Sequence, residues 1–379
     1  MSLVKFSDVV QRANTKEDKD NTDKIYYVGG EHIDSNNVLI TERGIIKGST
    51  IGPMFYFGFK AGQVLFVSRN PHLRKAGMVT FDGICSEKTF VLETKDENIL
   101  LQKFLPFVMQ SNHFWNYMEA HKSGSVNYFI NWSTLANYEF ELPDIDEQKR
   151  LTELLWAIKD TKYAYEKLSR SIDEVVKSQF IEMFGDCETN PKKYPIKGLC
   201  EIAEYYNGLT YKPSDVTDDE NGTLVLRSGN IQNGALAFDD NVRVTCSIKE
   251  KLMVKDNDIL MCSRNGSAAL VGKTAIIKNL KEPMTFGAFM MIIRSTYYPY
   301  LKTYFDTTAF RSHLSIGTTT INQITGKMLN DVKLPVPDMD TVNAYGRFIE
   351  QSDKSKFEIK QCIETTEKLL HRIIDESIN

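Results

Sequence analysis

Two short stretches hold the side chains best suited to polar chemistry. One runs from Arg69 through Asn70, His72 and Arg74 to Lys75; the other runs from Arg264 through Asn265 and Ser267 to Lys273. Guanidinium, amide, imidazole, hydroxyl and ammonium groups at this density suit hydrogen bonding to base edges and phosphates. The charge around them agrees. No Asp or Glu occurs between Arg43 and Phe81, where Arg43, Lys47, Lys60, Arg69, Arg74 and Lys75 all lie. Between Ile259 and Asn330 the acids are Glu282 and Asp306, set against Arg264, Lys273, Lys278, Lys281, Arg294, Lys302, Arg311 and Lys327. The whole chain is mildly acidic at −4. Charges beyond ~10 Å are screened, so a local basic face can still meet phosphates. Two polar stretches, Lys122 to Asn127 and Gly317 to Gln323, add Lys122, Ser125, Asn127, Thr318, Thr319 and Thr320 as candidates for close approach to DNA.

Catalytic patterns are missing or broken. GSAALVGKT at Gly266 to Thr274 has five residues between its glycines where a phosphate loop has four. A phosphate loop also joins a strand to a helix N-terminus, whereas KTAIIK reads as a further strand. The expectation is a hairpin loop that presents Arg264, Asn265, Ser267 and Lys273 outward. NPHL at Asn70 lacks the second proline and the aromatic residue of a DNA amino-methyltransferase motif. No G-x-S-x-G, H-E-x-x-H or C-x-x-C occurs among the 379 residues. The six scattered cysteines suit a reducing compartment and buried packing. No apolar run approaches the ~20 residues of a membrane span, and the N-terminus lacks a signal-peptide core. A cytoplasmic protein without a membrane partner is expected.

The elements that must carry these loops occur twice. VLFVSRN at Val64 to Asn70 is matched by ILMCSRN at Ile259 to Asn265, and YVGGEHI at Tyr27 by LRSGNI at Leu226. Ser123-Gly124-Ser125 is matched by Ile316-Gly317-Thr318, and VKFSDVV at Val4 by IKGLCEIA at Ile196. A repeat of half the chain means a duplicated domain. MFYFGF, QVLFVS, TFVLET, TLVLRS, DILMCS, KTAIIK and FMMIIRS read as strands. Helical patterns occupy 99–120 and 298–313. Each copy then reaches a Leu-Pro and an Asp-x-Asp: LPDID at Leu142, LPVPDMD at Leu334. Pro143 and Pro335 are expected to end the last strand of each copy. Asp144 or Asp146, and Asp338 or Asp340, are expected to cap the helices that follow, with Glu147 closing a capping box and Gly185 ending the first helix.

Those helices show apolar residues at alternating spacings of three and four. In the first the seam is read as Leu151, Leu154, Ile158, Thr161, Tyr165, Leu168, Ile172, Val175 and Gln179. In the second it is read as Tyr345, Phe348, Ser352, Ser355, Ile359, Cys362, Thr366, Leu369 and Ile373. Such a seam over four heptads predicts a coiled coil. The fold expected is α/β (α+β): two mostly-β globules at 1–142 and 186–335, joined by long helices at 143–185 and 336–379 that pair antiparallel about a pseudo-twofold axis.

Taken together, the duplicated globule-helix unit, the Leu-Pro-x-x-x-Glu-Gln-Lys-Arg entry at Leu142 to Arg150 and the Ser-Arg-Asn loops resemble specificity subunits of type I restriction-modification systems. The likeness extends over nearly the whole chain. It implies that each globule is a target recognition domain reading half of a bipartite double-stranded DNA sequence. It implies that the paired helices set the spacing and dock two methyltransferase subunits, with endonuclease subunits joining the same assembly. S-adenosylmethionine, ATP and Mg²⁺ then belong to the partner subunits, and this chain is non-catalytic and binds no cofactor. Glu147, Gln148 and Arg150 are the expected partner contacts. The second copy departs here, with Thr341, Val342 and Ala344 at the matching positions. A coiled-coil interaction scaffold that reads no DNA is the alternative.

Overall fold

The computed structural model describes residues 2–314 and 323–378. The chain divides into two units, one formed by 1–168 with 359–379 and the other by 169–358. Each therefore combines one globule with parts of both long helices.

The first unit begins with β1 (Ser2–Lys5), α1 (Phe6–Val9), β2 (Val10–Arg12), β3 (Tyr26–Val28), β4 (Leu39–Ile40), β5 (Gly44–Ile45) and β6 (Phe55–Phe59). It continues through β7 (Val64–Val67), β8 (Ala76–Val79), β9 (Gly83–Ser86) and β10 (Thr89–Thr94). Then come α2 (Leu105–Val108), α3 (Asn112–Ala120), α4 (Trp132–Ala136), β11 (Glu139–Leu142) and the long α5 (Ile145–Phe184). The strands form sheets in the orders β2-β10-β7-β8-β4 and β5-β3-β9-β6, with β1 paired to β11. One apolar core lies between the five-stranded sheet and the helices and includes Phe66, Phe107, Phe114 and Trp115; a smaller one holds Val28, Phe59, Leu65 and Cys85.

The second unit runs β12 (Ile196–Gly198), α6 (Leu199–Ile202), β13 (Glu204–Asn207), β14 (Val216–Thr217), β15 (Thr223–Leu226), β16 (Ile231–Gln232), β17 (Ala235–Leu236) and β18 (Val242–Val244). It goes on with β19 (Ile259–Cys262), β20 (Thr274–Ile276), β21 (Met284–Phe286) and β22 (Met290–Arg294). It closes with α7 (Tyr298–Phe305), α8 (Thr308–Leu314), α9 (Gly326–Asn330), β23 (Lys333–Pro335) and α10 (Met339–Ser377), whose last part belongs to the first unit. The order β13-β22-β19-β20 matches β2-β10-β7-β8 strand for strand. The match reaches single hydrogen bonds. Gln63 Oε1 accepts from Lys60 N, and Asp258 Oδ2 accepts from Lys255 N, both at 2.8 Å. All seven expected strand runs are strands. The two expected helical stretches are each broken in two, because Ser111 caps α3 through Phe114 N and Thr307 receives Phe310 N before α8 can join α7.

The repeat that opens each long helix is offset from the Leu-Pro pairs. Phe6 N donates to Tyr138 O and Leu199 N to Val332 O; Asp144 Oδ1 accepts from Glu147 N and Asp338 Oδ1 from Thr341 N. Pro143 therefore corresponds to Pro337, and Leu142 to Val336. Pro335 lies within β23, not after it, and its carbonyl accepts from Tyr300 Oη at 2.7 Å. The caps are Asp144 and Asp338. Glu147 does not complete a capping box, because its carboxylate turns to Arg150. Gly185, at φ +74°, ends α5 as expected.

The helices pair antiparallel. In the second unit Asp173 bonds Lys356, and further along α5 Phe180 and Phe184 pack on Tyr345, earlier in α10. In the first unit Lys162 reaches Glu367 at 2.9 Å, while Leu155 and Ile158 share a core with Leu370 and Ile374. Four of the nine seam positions read from α5 face outward. Leu151, Ile158, Tyr165, Ile172 and Gln179 face inward, but Leu155 is buried and Leu154 is 38% exposed. Leu168 and Val175 are likewise about half exposed, and Thr161 is exposed with its hydroxyl donating to Ala157 O. In α10 Leu370 replaces Leu369 in the seam. Adjacent leucines allow either phase, and the globule's core selects the one that buries Leu155 and Leu370.

Candidate nucleic-acid interface

In the tripeptide Ser-Arg-Asn the serine is a fastening device and the arginine an outward group. Ser68 N and Oγ both donate to Lys88 O, at 2.8 and 2.7 Å; Ser263 N and Oγ both donate to Phe289 O, each at 2.9 Å. Each serine carbonyl in turn accepts a backbone N–H, from Ile130 at 2.8 Å and from Ile324 at 2.7 Å. These serines are buried, so the β7–β8 hairpin is locked to the loop before α4, and the β19–β20 hairpin to the segment before α9. Arg69 and Arg264 emerge exposed from matching corners, and each backbone forms a bridge, Arg69 to Phe129 and Arg264 to Gln323.

In the first unit the loop at 123–129 closes on itself through a reciprocal Ser123–Phe129 pair, 2.9 Å each way. Gly124 has φ +98°, and a Cβ there would meet Asn127 O at 2.6 Å, so only glycine fits. The tip leaves Ser125, Val126 and Asn127 exposed, and Asn70 N donates to Tyr128 O. Arg69, Asn70, Ser125 and Asn127 thus belong to one surface, although more than fifty residues separate them. Lys122 lies 4.3 Å from the Tyr128 ring centre and bonds Glu119. His72 is exposed on a 3-10 turn, and Asn70 and Arg74 flank it in the left-handed region. Lys75 is half-buried and turns back to donate to Gly30 O.

In the second unit the 263–273 segment is the hairpin loop expected, with β20 rather than a helix after it. Arg264, Ser267 and Lys273 are exposed. Asn265 shapes the loop: its Oδ1 accepts from Ser267 N and its Nδ2 donates to Ser228 Oγ. Burial pushes the Cys262 thiol up, which suits a packed rather than reactive sulfur behind the loop. Thr318, Thr319 and Thr320 lie outside the described residues. Sequence reading missed Phe289, which is 60% exposed beside Arg264, 5.6 Å from guanidinium to ring centre. The signal lay in FGAF, a turn-forming Gly-Ala ahead of an aromatic that strand patterning absorbs into FMMIIRS.

The entry to α5 is fastened at the opposite end of β7. Gln148 is fully buried; its Oε1 accepts from Leu101 N at 3.0 Å, and its Nε2 donates to Ile99 O and Pro143 O, each at 2.8 Å. Glu147 and Arg150 stand outside and pair with each other through two hydrogen bonds. That pairing holds the Glu147 carboxyl below its usual range and raises Arg150. A cleft of about 780 Å³ beside them is lined by Lys60, Gln63, Glu93, Lys103, Lys149 and Glu153. Val342 fills the position of Gln148 at the entry to α10, equally buried. Among the described residues no helix is long and apolar enough to cross a membrane, and no three metal-ligating side chains cluster.

Known proteins are similar to this chain in sequence and fold. The chain is similar to the specificity subunit of the type I restriction enzyme EcoKI of Escherichia coli (strain K12), 23% identical over 202 residues, 50% of this chain and 43% of that one. The StySPI specificity subunit of Salmonella potsdam matches to the same extent. The chain thus spans less than half the length of these curated relatives. Two solved structures share the fold. One, described as the structural basis of complex assembly and conformational transition of the type I R-M system, has a TM-score of 0.57 at 18% identity, covering 99% of this chain and 97% of that one. The other is the type I restriction-modification S subunit from M. genitalium, with TM-score 0.57 at 12% identity, covering 100% and 96%. The family described as the type I restriction modification DNA specificity domain matches twice, over residues 6–172 and 190–369, and the chain belongs to that family.

Proposed function

We propose that this chain is the non-catalytic specificity subunit of a type I restriction-modification complex and reads a bipartite double-stranded DNA target, one half with each globule. The observation that carries this reading is the duplicated serine clasp. It projects Arg69 and Arg264 from matching exposed corners, each held by backbone and hydroxyl bonds to a neighbouring loop. Arginines fixed in this way suit bidentate contact with guanine in the major groove. Asn70, Ser125 and Asn127 beside Arg69, and Phe289 beside Arg264, complete two reading surfaces. Methyl transfer and cleavage belong to partner subunits, which bring S-adenosylmethionine, ATP and Mg²⁺.

Two methyltransferase subunits dock at the long helices, away from the reading loops. Glu147 and Arg150 face that partner, and Gln148 positions the turn that displays them. The exposed stripe Leu154, Ala157, Thr161, Ala164 and Leu168 extends the same face in the first unit. Endonuclease subunits join this assembly, in the cytoplasm.

Selection from a random DNA pool by the reconstituted complex tests the reading. An enriched two-part motif is expected, with Arg69→Ala degrading one half and Arg264→Ala the other. Unchanged methylation of both halves after removing both arginines overturns the assignment of the loops. A pool with no enriched motif favours a coiled-coil scaffold.

A further inference from the structure

The last turn of α10 touches the reading loop of the first unit through a single intermediary. Asp375 Oδ1 accepts from Asn112 N at 2.8 Å, and Asp375 Oδ2 accepts from Asn112 Nδ2 at 2.6 Å. Asn112 Oδ1 then accepts from Arg74 Nη1 at 2.8 Å. Every polar group of the Asn112 side chain and its backbone N–H is thereby committed.

Both ends of this chain of bonds are rigid. Ile374 and Ile378, which flank Asp375, are fully buried in the first unit's core. Asn112 opens α3, whose start is held by the Ser111 cap and by Gln110, which donates to Ala76 O at 2.5 Å and accepts from Trp115 Nε1. Arg74 sits in the left-handed region, with Asn36 N donating to its carbonyl and its own N–H donating to Pro71 O. The backbone at Arg74 is therefore fixed, and the Asn112 contact fixes the direction of its guanidinium. One of its donors is used, which leaves Nε and Nη2 for another acceptor. The carboxylate also suits the N-terminus of α3, which favours negative charge.

Resting on the DNA-reading assignment above, we infer that Asn112 and Asp375 are positioning residues for base recognition: they orient Arg74, so that the C-terminal turn of the chain helps set the sequence read by the first globule. Among the described residues the second unit shows no such relay. Its position matching Asp375 in the helix repeat is Ile181, 54% exposed. The two half-sites therefore supply an internal control.

The test uses the full chain with its methyltransferase partner and a randomised DNA pool, scored separately for each half of the enriched motif. Asn112→Ala and Asp375→Ala are expected to lower discrimination at one or two bases of one half by roughly tenfold, with the other half unchanged. Exchanging the pair, Asn112→Asp with Asp375→Asn, restores all three hydrogen bonds, the one between the two side chains now donated from position 375 and accepted at position 112, and is expected to restore discrimination. Both halves falling together, or unchanged discrimination where Arg74→Ala abolishes it, overturns the positioning role. Unchanged discrimination in Arg74→Ala itself overturns the assignment of this loop to base reading.

Discussion

Replacing Gln148 by leucine separates volume from hydrogen bonding at the root of α5. Leucine nearly preserves the buried volume, so little cavity cost is expected. It removes three hydrogen bonds and leaves Leu101 N, Ile99 O and Pro143 O without that partner. At about 1 kcal/mol net for each bond the loss is about 3 kcal/mol. For a unit of nearly two hundred residues, where 1 kcal/mol shifts the midpoint by ~2–4 °C, the first unit should melt ~6–12 °C lower. Calorimetry reads this directly, and faster hydrogen exchange at the Leu101 amide localises it. A first-unit transition within ~1 °C of the parent, or unchanged exchange at Leu101, refutes the argument that the amide clamps the helix entry.

Leu168→Glu puts charge on an exposed stripe without touching the core, so folding stability should stay within ~0.5 kcal/mol while methyltransferase binding weakens; native mass spectrometry of the mixed subunits checks both. Phe289→Ala should reduce discrimination in one half-site and leave the salt dependence of DNA affinity unchanged, since a ring neutralises no phosphate; a shallower salt slope contradicts this. The Glu282 carboxyl is held below its ordinary range by the Arg243 guanidinium. Its contribution is therefore present above the unfolded carboxylate pKa and fades as pH falls through the folded one. Partial exposure keeps it within about 1 kcal/mol. Urea midpoints of the parent and Glu282→Gln should differ at pH 7 and converge as pH falls below the ordinary carboxylate range.

What could be read from the sequence was what the backbone imposes twice. Strands carry β-branched and aromatic residues whatever the loops of a globule contact, and a Ser-Arg-Asn turn repeats because its serine must meet a carbonyl in the adjoining loop. The duplication, the hairpin at 263–273 and the capping aspartates followed from such constraints. The misreadings arose where two neighbours are chemically alike and tertiary packing decides. Leu154 and Leu155 fit a heptad equally well, and so do Leu369 and Leu370. Pro335 and Pro337 both follow an apolar residue in the second copy, and only the ladder with β12 shows that the first lies within a strand.

The same reasoning explains the divergence at the two helix entries. Gln148 and Val342 are both fully buried at the same step of the repeat. Glutamine there meets two carbonyls and an N–H supplied by the 99–101 and Pro143 backbone; valine fills its space without a polar partner. Burial is what the fold demands at that position, and polarity is set by the loop that happens to lie against it. On the exposed side of the turn nothing in the fold demands the Glu147–Arg150 pair, and the second entry has Thr341 and Ala344 instead. A methyltransferase subunit that recognises the Glu147–Arg150 pair would thus find no such pair at the second helix. Glu147→Thr with Arg150→Ala makes these two exposed positions alike, and titration with the methyltransferase should then show two equal sites. Two sites that remain unequal would mean that the pair is not what distinguishes them.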